Sequence, residues 1–211
     1  MSHDDFEIEP VEGLPELPPE GEEILWRGRP STMALAREAM NLNWIIGYFA
    51  VLMAWRFLSV SDIMPLGQAI GATVPFLLLG MVVCGLLIGV SYIQSRNTVY
   101  TITSARVAMR IGAALTLTLN LPYREIANAS LSLRKNGTGT IALETTGKTQ
   151  FSLLVLWPHA RPWHFSPSQP ALRAIPDAAD VAKILARAAE ARVSIPQVAR
   201  KAPKFNAVAA E

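Results

Sequence analysis

The sequence predicts a membrane α-helical hairpin, made of two transmembrane helices, that carries a mainly-β antiparallel domain with a C-terminal amphipathic helix. Three observations predict it. Two long apolar runs, at 44–60 and 70–93, stand ahead of a polar half that begins at Arg96. In that half, short alternating stretches are separated by turn residues. Near the end, apolar side chains recur at helical spacing.

Residues 1–30 read as an acidic, proline-rich arm. Nine of the 17 acidic residues lie between Asp4 and Glu23, a stretch without Lys or Arg. With Pro10, Pro15, Pro18 and Pro19 it is too polar and too broken to bury a core. A solvated tail, a screen over basic residues and an arm that docks on a basic partner all fit this composition. The remaining chain is basic, which suits the neighbourhood of anionic headgroups, where each well-placed cation adds about 1 kcal/mol.

Residues 31–95 read as the membrane region. The run at 44–60 has 17 residues and the run at 70–93 has 24 with no charge. At ~1.5 Å per residue the first is near the lower limit for a ~30 Å hydrocarbon core, and the second spans with room to tilt. Pro75 is expected to bend the second helix near its start. The connection at 59–69 holds Asp62 and no Lys or Arg, whereas Arg27, Arg29, Arg37, Arg96, Arg106 and Arg110 flank the pair. The positive-inside rule then places both termini in the cytoplasm. The acidic start of the chain contains no secretory signal pattern. Cys84, the one cysteine, falls inside the second span, which excludes a disulfide framework.

The domain is expected at 96–195. Strands are expected at 98–103 and 106–111 around a Ser104-Ala105 turn, then at 116–121, 126–134 and 140–144. Asn136-Gly137 is a strong turn signal because both residues tolerate positive φ. A further turn at 146–148 leads into an expected strand at 151–157. The proline- and aromatic-rich stretch 157–176 is expected to be irregular. A helix follows, with Asp177 at its N-cap and Val181, Ile184, Leu185 and Ala188 on one face. Residues 196–211 are expected to form a flexible tail.

Glu23-Ile24-Leu25-Trp26-Arg27-Gly28-Arg29-Pro30, the two spans and Tyr100-Thr101-Ile102-Thr103-Ser104-Ala105-Arg106-Val107 together resemble membrane-anchored bacterial pleckstrin-homology-like (PH-like) proteins. Longer segments, among them YTITSARVAMRIGAALTLTLNLPY, LRKNGTGTIALE and WPHARPWH, resemble photosynthetic complex assembly proteins of purple bacteria. The resemblance implies a PH-like sheet or barrel and a place in the bacterial inner, intracytoplasmic membrane. It also implies a factor that assists assembly of the reaction centre and core light-harvesting complex, working as a homodimer. Reaction-centre and core antenna subunits would be its partners, together with membrane lipids.

No Gly-rich phosphate loop, Ser-His-Asp pattern, His-x-x-x-His or Cys-x-x-Cys is present, so an enzyme is not expected. Neither a cofactor, a metal site nor a nucleic-acid partner is expected. His159 and His164 form a candidate pigment contact, because two imidazoles in one loop could ligate the magnesium of a bacteriochlorophyll while Trp157 and Trp163 stack on the ring. The same loop also fits packing against the sheet, or lying at headgroup level where Trp is common. Arg56 puts a charge inside the first span. It would pair with Asp62 or a carboxylate on a partner helix, or snorkel to the interface. Gly85 and Gly89 form a small-xxx-small face on which two helices can approach. Two function classes therefore lead: an assembly factor acting through protein contacts, and a module that binds anionic lipid headgroups.

Overall fold

Strand β1 (Ile24–Gly28) and helix α1 (Thr32–Glu38) precede an apolar helical hairpin, and the other strands follow it. The computed structural model describes residues 11–112, 116–146 and 151–193. The hairpin consists of α2 (Leu42–Ser61) and α4 (Val74–Asn97), joined through the short α3 (Leu66–Gly71). Both long helices are long and apolar enough to cross a membrane. Their large side chains point away from the protein, with Trp44, Val51, Trp55, Leu58 and Leu86 between 66% and 80% exposed. The second helix begins four residues later than the apolar run. Pro75 sits in its first turn, where a missing N–H leaves no bond unmade, so it starts the helix and does not bend it.

After the hairpin the backbone alternates as its side chains do. β2 (Val99–Thr103), β3 (Arg106–Ile111) and β4 (Leu117–Pro122) join β1 in a four-stranded antiparallel sheet ordered β1-β2-β3-β4. The β2–β3 turn is closed by Thr103, whose Oγ1 accepts the Ala105 and Arg106 N–H groups at 3.2 and 3.0 Å. β5 (Ile126–Leu133), β6 (Gly139–Thr145) and β7 (Ala171–Ile175) form the second antiparallel sheet. Asn136-Gly137 makes the expected turn, with Gly137 at φ +81°. Helix α6 (Ala178–Val193) buries Val181, Leu185 and Ala188 in a core shared with Tyr100, Ile102, Leu143 and Leu172 of the two sheets. Asp177 directly precedes that helix, at φ +51°.

Three expectations need correction. Residues 151–157 are not a strand: α5 (Leu153–Leu156) is a single helical turn that plugs Leu156 into the core, and only Phe151 pairs, through a bridge to Ser168. The proline-rich stretch is not irregular throughout, because Ala171–Ile175 is the fully buried β7. Pro170 and Pro176 flank that strand and so cost it no ladder bonds. The acidic arm is not a solvated tail over its described part. β1 lies within it, Leu14 is 1% exposed, Glu12 pairs with Arg29, and Glu22 Oε1 lies 2.9 Å from Arg106 Nε. Those carboxylates meet this chain's own cations. The tail at 196–211, His3 and the turn residues 147–148 lie outside the described residues.

Gly139 marks the tightest junction of sheet and helix. A Cβ there would fall 2.7 Å from the Ser132 carbonyl oxygen and 2.8 Å from Ala178 Cβ, and neither can move alone. Gly139→Ala should therefore destabilise the domain by about 1–3 kcal/mol, read as a lowered melting temperature in detergent.

Candidate functional site

Where the hairpin meets the domain, α4 changes character. Ser91, Gln94 and Ser95 are buried, and Ser95 Oγ lies 2.6 Å from Thr32 Oγ1 of α1. On the other side Arg96 stands over the Tyr92 ring at 5.3 Å. Thr98 follows the last helical residue, and its Oγ1 lies 3.0 Å from His159 Nε2. Tyr100, in β2, sets its hydroxyl 2.6 Å from His159 Nδ1. That hydroxyl also accepts the Arg173 backbone N–H at 3.2 Å. Its own proton is thus free to donate to Nδ1, and the network assigns the imidazole hydrogen to Nε2, facing Thr98. Burial, aided by the positive Arg173, pushes His159 down to about 3. Burial raises the Tyr100 phenol above its ordinary value. Both groups are held neutral.

Arg173 makes the second tie. It is 6% exposed, donates from Nη1 to the Pro158 carbonyl at 3.1 Å, and from Nη2 to the Glu38 carbonyl at 2.8 Å. Burial lowers its pKa, and the Glu38 charge opposes that shift. The buried Glu38 carboxylate is held 2.7 Å from Arg134 Nε. Thr138 and Thr140 hydroxyls lie 3.4 and 3.5 Å from the same carboxylate. One network therefore links α1, the end of α4, both sheets and the 157–159 loop.

The residues singled out in the sequence are spread around this junction. The structure does not present His159 and His164 as a pair of free ligands. Both ring nitrogens of His159 are already engaged in the interior, whereas His164 is exposed on the loop. Among the described residues no three His, Cys, Asp or Glu gather for a metal ion. Trp157 and Trp163 are 50% and 87% exposed on that loop, and Trp163 takes φ +62°, a strained value for a bulky residue. Arg56 forms no hydrogen bond or ion pair among the described residues, so the Asp62 pairing is not made. A Cβ added at Gly85 or Gly89 would meet nothing within 4 Å. The close approach inside the hairpin is instead at Gly80, where a Cβ would fall 2.9 Å from Phe49 Cγ.

Two concavities stand out among the described residues, and the second adjoins the junction through Glu38 and Arg134. One of about 590 Å³ lies between β5 and α6, lined by Ile126, Leu131, Leu185 and Ala189 with Glu190. The other, about 510 Å³, is polar and brings Arg37, Arg134 and Lys135 beside Asn43 of the first turn of α2.

An apolar hairpin locked to two antiparallel sheets and a closing helix defines a PH-like module built onto a membrane-type anchor. The chain belongs to the bacterial PH domain family, which it matches over residues 42–189. It is also similar to an uncharacterised 23.7 kDa protein encoded in the puhA 5′ region of Rhodobacter capsulatus. The two are 46% identical over 212 aligned residues, covering 100% of this chain and 99% of that protein. No solved structure matches the chain.

His159 gives the fold a pH dependence. An unfolded histidine binds a proton near pH 6.5, and the buried one only near 3, so protonation favours the unfolded chain between those values. Stability is complete above the upper value and falls on acidification, by up to about 1.4 kcal/mol per pH unit. Melting curves of His159→Gln should be flatter than wild type across this window. Parallel curves would contradict the assignment.

Proposed function

We propose that this chain is an integral membrane assembly factor that assists the reaction centre and core light-harvesting complex through protein–protein contacts. It would be a counterpart of the photosynthetic assembly protein PuhB, which its segments resemble. The observation that carries the reading is a relative, alike along nearly its whole length, encoded beside the photosynthesis gene puhA. The hairpin supports a place in the bilayer, since its outward side chains are those that lipid tails solvate. With Arg27, Arg29, Arg37 and Arg96 near the domain-side ends of the helices, both termini face the cytoplasm in this reading.

The domain's surfaces fit recognition better than catalysis. His159 and Tyr100 are buried and bonded to each other, and Arg173 is buried against main-chain carbonyls, so none of the three is an accessible nucleophile or base. β5 is the outer strand of its sheet, with Leu131 and Leu133 40% and 53% exposed beside the apolar groove, a geometry suited to an added partner segment. Removing the protein should lower the yield of assembled reaction centre or core antenna while bacteriochlorophyll precursors stay at normal levels. A null strain that accumulates a pigment precursor, with assembly restored by finished pigment, would refute the proposal.

Homodimerisation belongs to the same reading. The free face at Gly85 and Gly89 can take a second helix at close backbone approach. The double variant Gly85→Leu/Gly89→Leu should lose detergent-resistant dimer and keep its melting temperature; an unaltered monomer–dimer equilibrium excludes this face. The Arg37, Arg134 and Lys135 concavity favours a second reading, binding of anionic headgroups. That reading requires vesicle binding by the domain to fall steeply with salt.

A further inference from the structure

We propose that the loop carrying Leu154, Val155, Trp157, Trp163 and Phe165 is a third membrane contact, one that lies in the interface without crossing it. The five side chains are 89%, 51%, 50%, 87% and 65% exposed. Such a concentration of large apolar groups on one short segment, running from α5 into the loop that follows, is unusual for a surface bathed in water. The inference rests on the hairpin lying in a bilayer, and it then follows from where the loop is fastened.

Two bonds set its height. His159 is bound to Thr98, the residue that follows α4. Pro158 is bound through Arg173 to Glu38, four residues ahead of the start of α2. The loop is thus pinned beside both points at which the hairpin enters the domain. Aromatic residues already mark that level on the helices: Trp44 is 80% exposed near the start of α2, and Tyr92 is 50% exposed near the end of α4 under Arg96. Trp157, Trp163 and Phe165 extend this belt beyond the two helices. Trp and Tyr favour the headgroup level because their rings have an apolar body and a polar edge. The fixed frame also fits a strained Trp163 backbone that presents the indole outward.

The occupant of this face is lipid, because the bilayer is the one apolar surface that the hairpin itself brings to that height. An apolar patch on another protein is the rival. The full chain can separate them. In a Cys84→Ser background, a polarity-sensitive fluorophore would be attached to Leu154→Cys, Phe165→Cys, Leu79→Cys or Ser104→Cys. Ser104 lies past the far end of β2, and Leu79 is an outward residue of α4. Each protein is placed in phosphatidylcholine–phosphatidylglycerol vesicles with nitroxide either near the headgroups or deep in the acyl chains. The probes at 154 and 165 should lose emission mainly to the shallow nitroxide, at a depth of about 5–10 Å, and resist aqueous iodide. The probe at 79 should respond to the deep nitroxide and the probe at 104 to iodide alone. Iodide access at 154 and 165 matching that at 104 would overturn the proposal. So would shielding from both quenchers, which would mean a protein covers the loop. A probe at 79 that escapes the deep nitroxide would remove the hairpin from the bilayer and take both readings with it.

Discussion

The architecture depends on one buried cation. Arg173 sits in the middle of a strand where every side chain is buried, and a guanidinium there is tolerable only with partners at hand. Two of those partners are main-chain carbonyls, Pro158 and Glu38, that belong to segments far apart in the sequence. Satisfying one side chain therefore fixes the loop beside His159 and the helix that leads into the hairpin. Glu38 repeats the logic with opposite sign: its carboxylate is held by Arg134, so α1 is fastened to the second sheet. Removing one member of such a set leaves the others buried and unpaired, which costs roughly 3–5 kcal/mol. The junction is consequently stiff, and it makes the hairpin and the domain a single mechanical unit.

His159 extends that stiffness to the other end of the hairpin. A neutral imidazole can donate from one nitrogen and accept at the other, and here it does both, bridging Thr98 and Tyr100. A protonated ring would have two donors facing an interior that offers Nδ1 a phenol already oriented to donate. Desolvation and the neighbouring guanidinium both oppose that charge. The residue that invited a ligand role is thus a structural strut, and its partners explain why.

Much of the fold was legible because the relevant signals are local. The apolar runs, the Asn136-Gly137 turn and the stripe on α6 each depend on residues within a few positions of one another. β7 was not legible, since Pro170 and Pro176 dominate its neighbourhood and Arg173 interrupts its apolar pattern. β1 was hidden by the acidic context of the arm, although the stretch from Glu23 to Pro30 that carried part of the family resemblance contains that strand. The expected strand at 151–157 failed because a short apolar run rich in leucine suits either state, and burial of Leu156 selected a helical turn. For the site, sequence proximity suggested pairing His159 with His164. Its real partners lie 61 and 59 residues upstream, a separation that no spacing rule reaches. The best available sign was a lone arginine in the apolar stretch Ala171–Ile175.

The pairing of β1 with β2 has a consequence for how the chain is made. β1 and α1 leave the ribosome before the hairpin, and their partners β2 and β7 leave after it. The first strand must wait, unpaired, through the synthesis of the whole hairpin. It can zip onto β2 only if the two helices return the chain to the side from which it departed. A hairpin of which only one helix crossed would strand β1 apart from its mate and leave the core open. For a hairpin that enters a bilayer, completion of this domain would thus require that both helices have crossed.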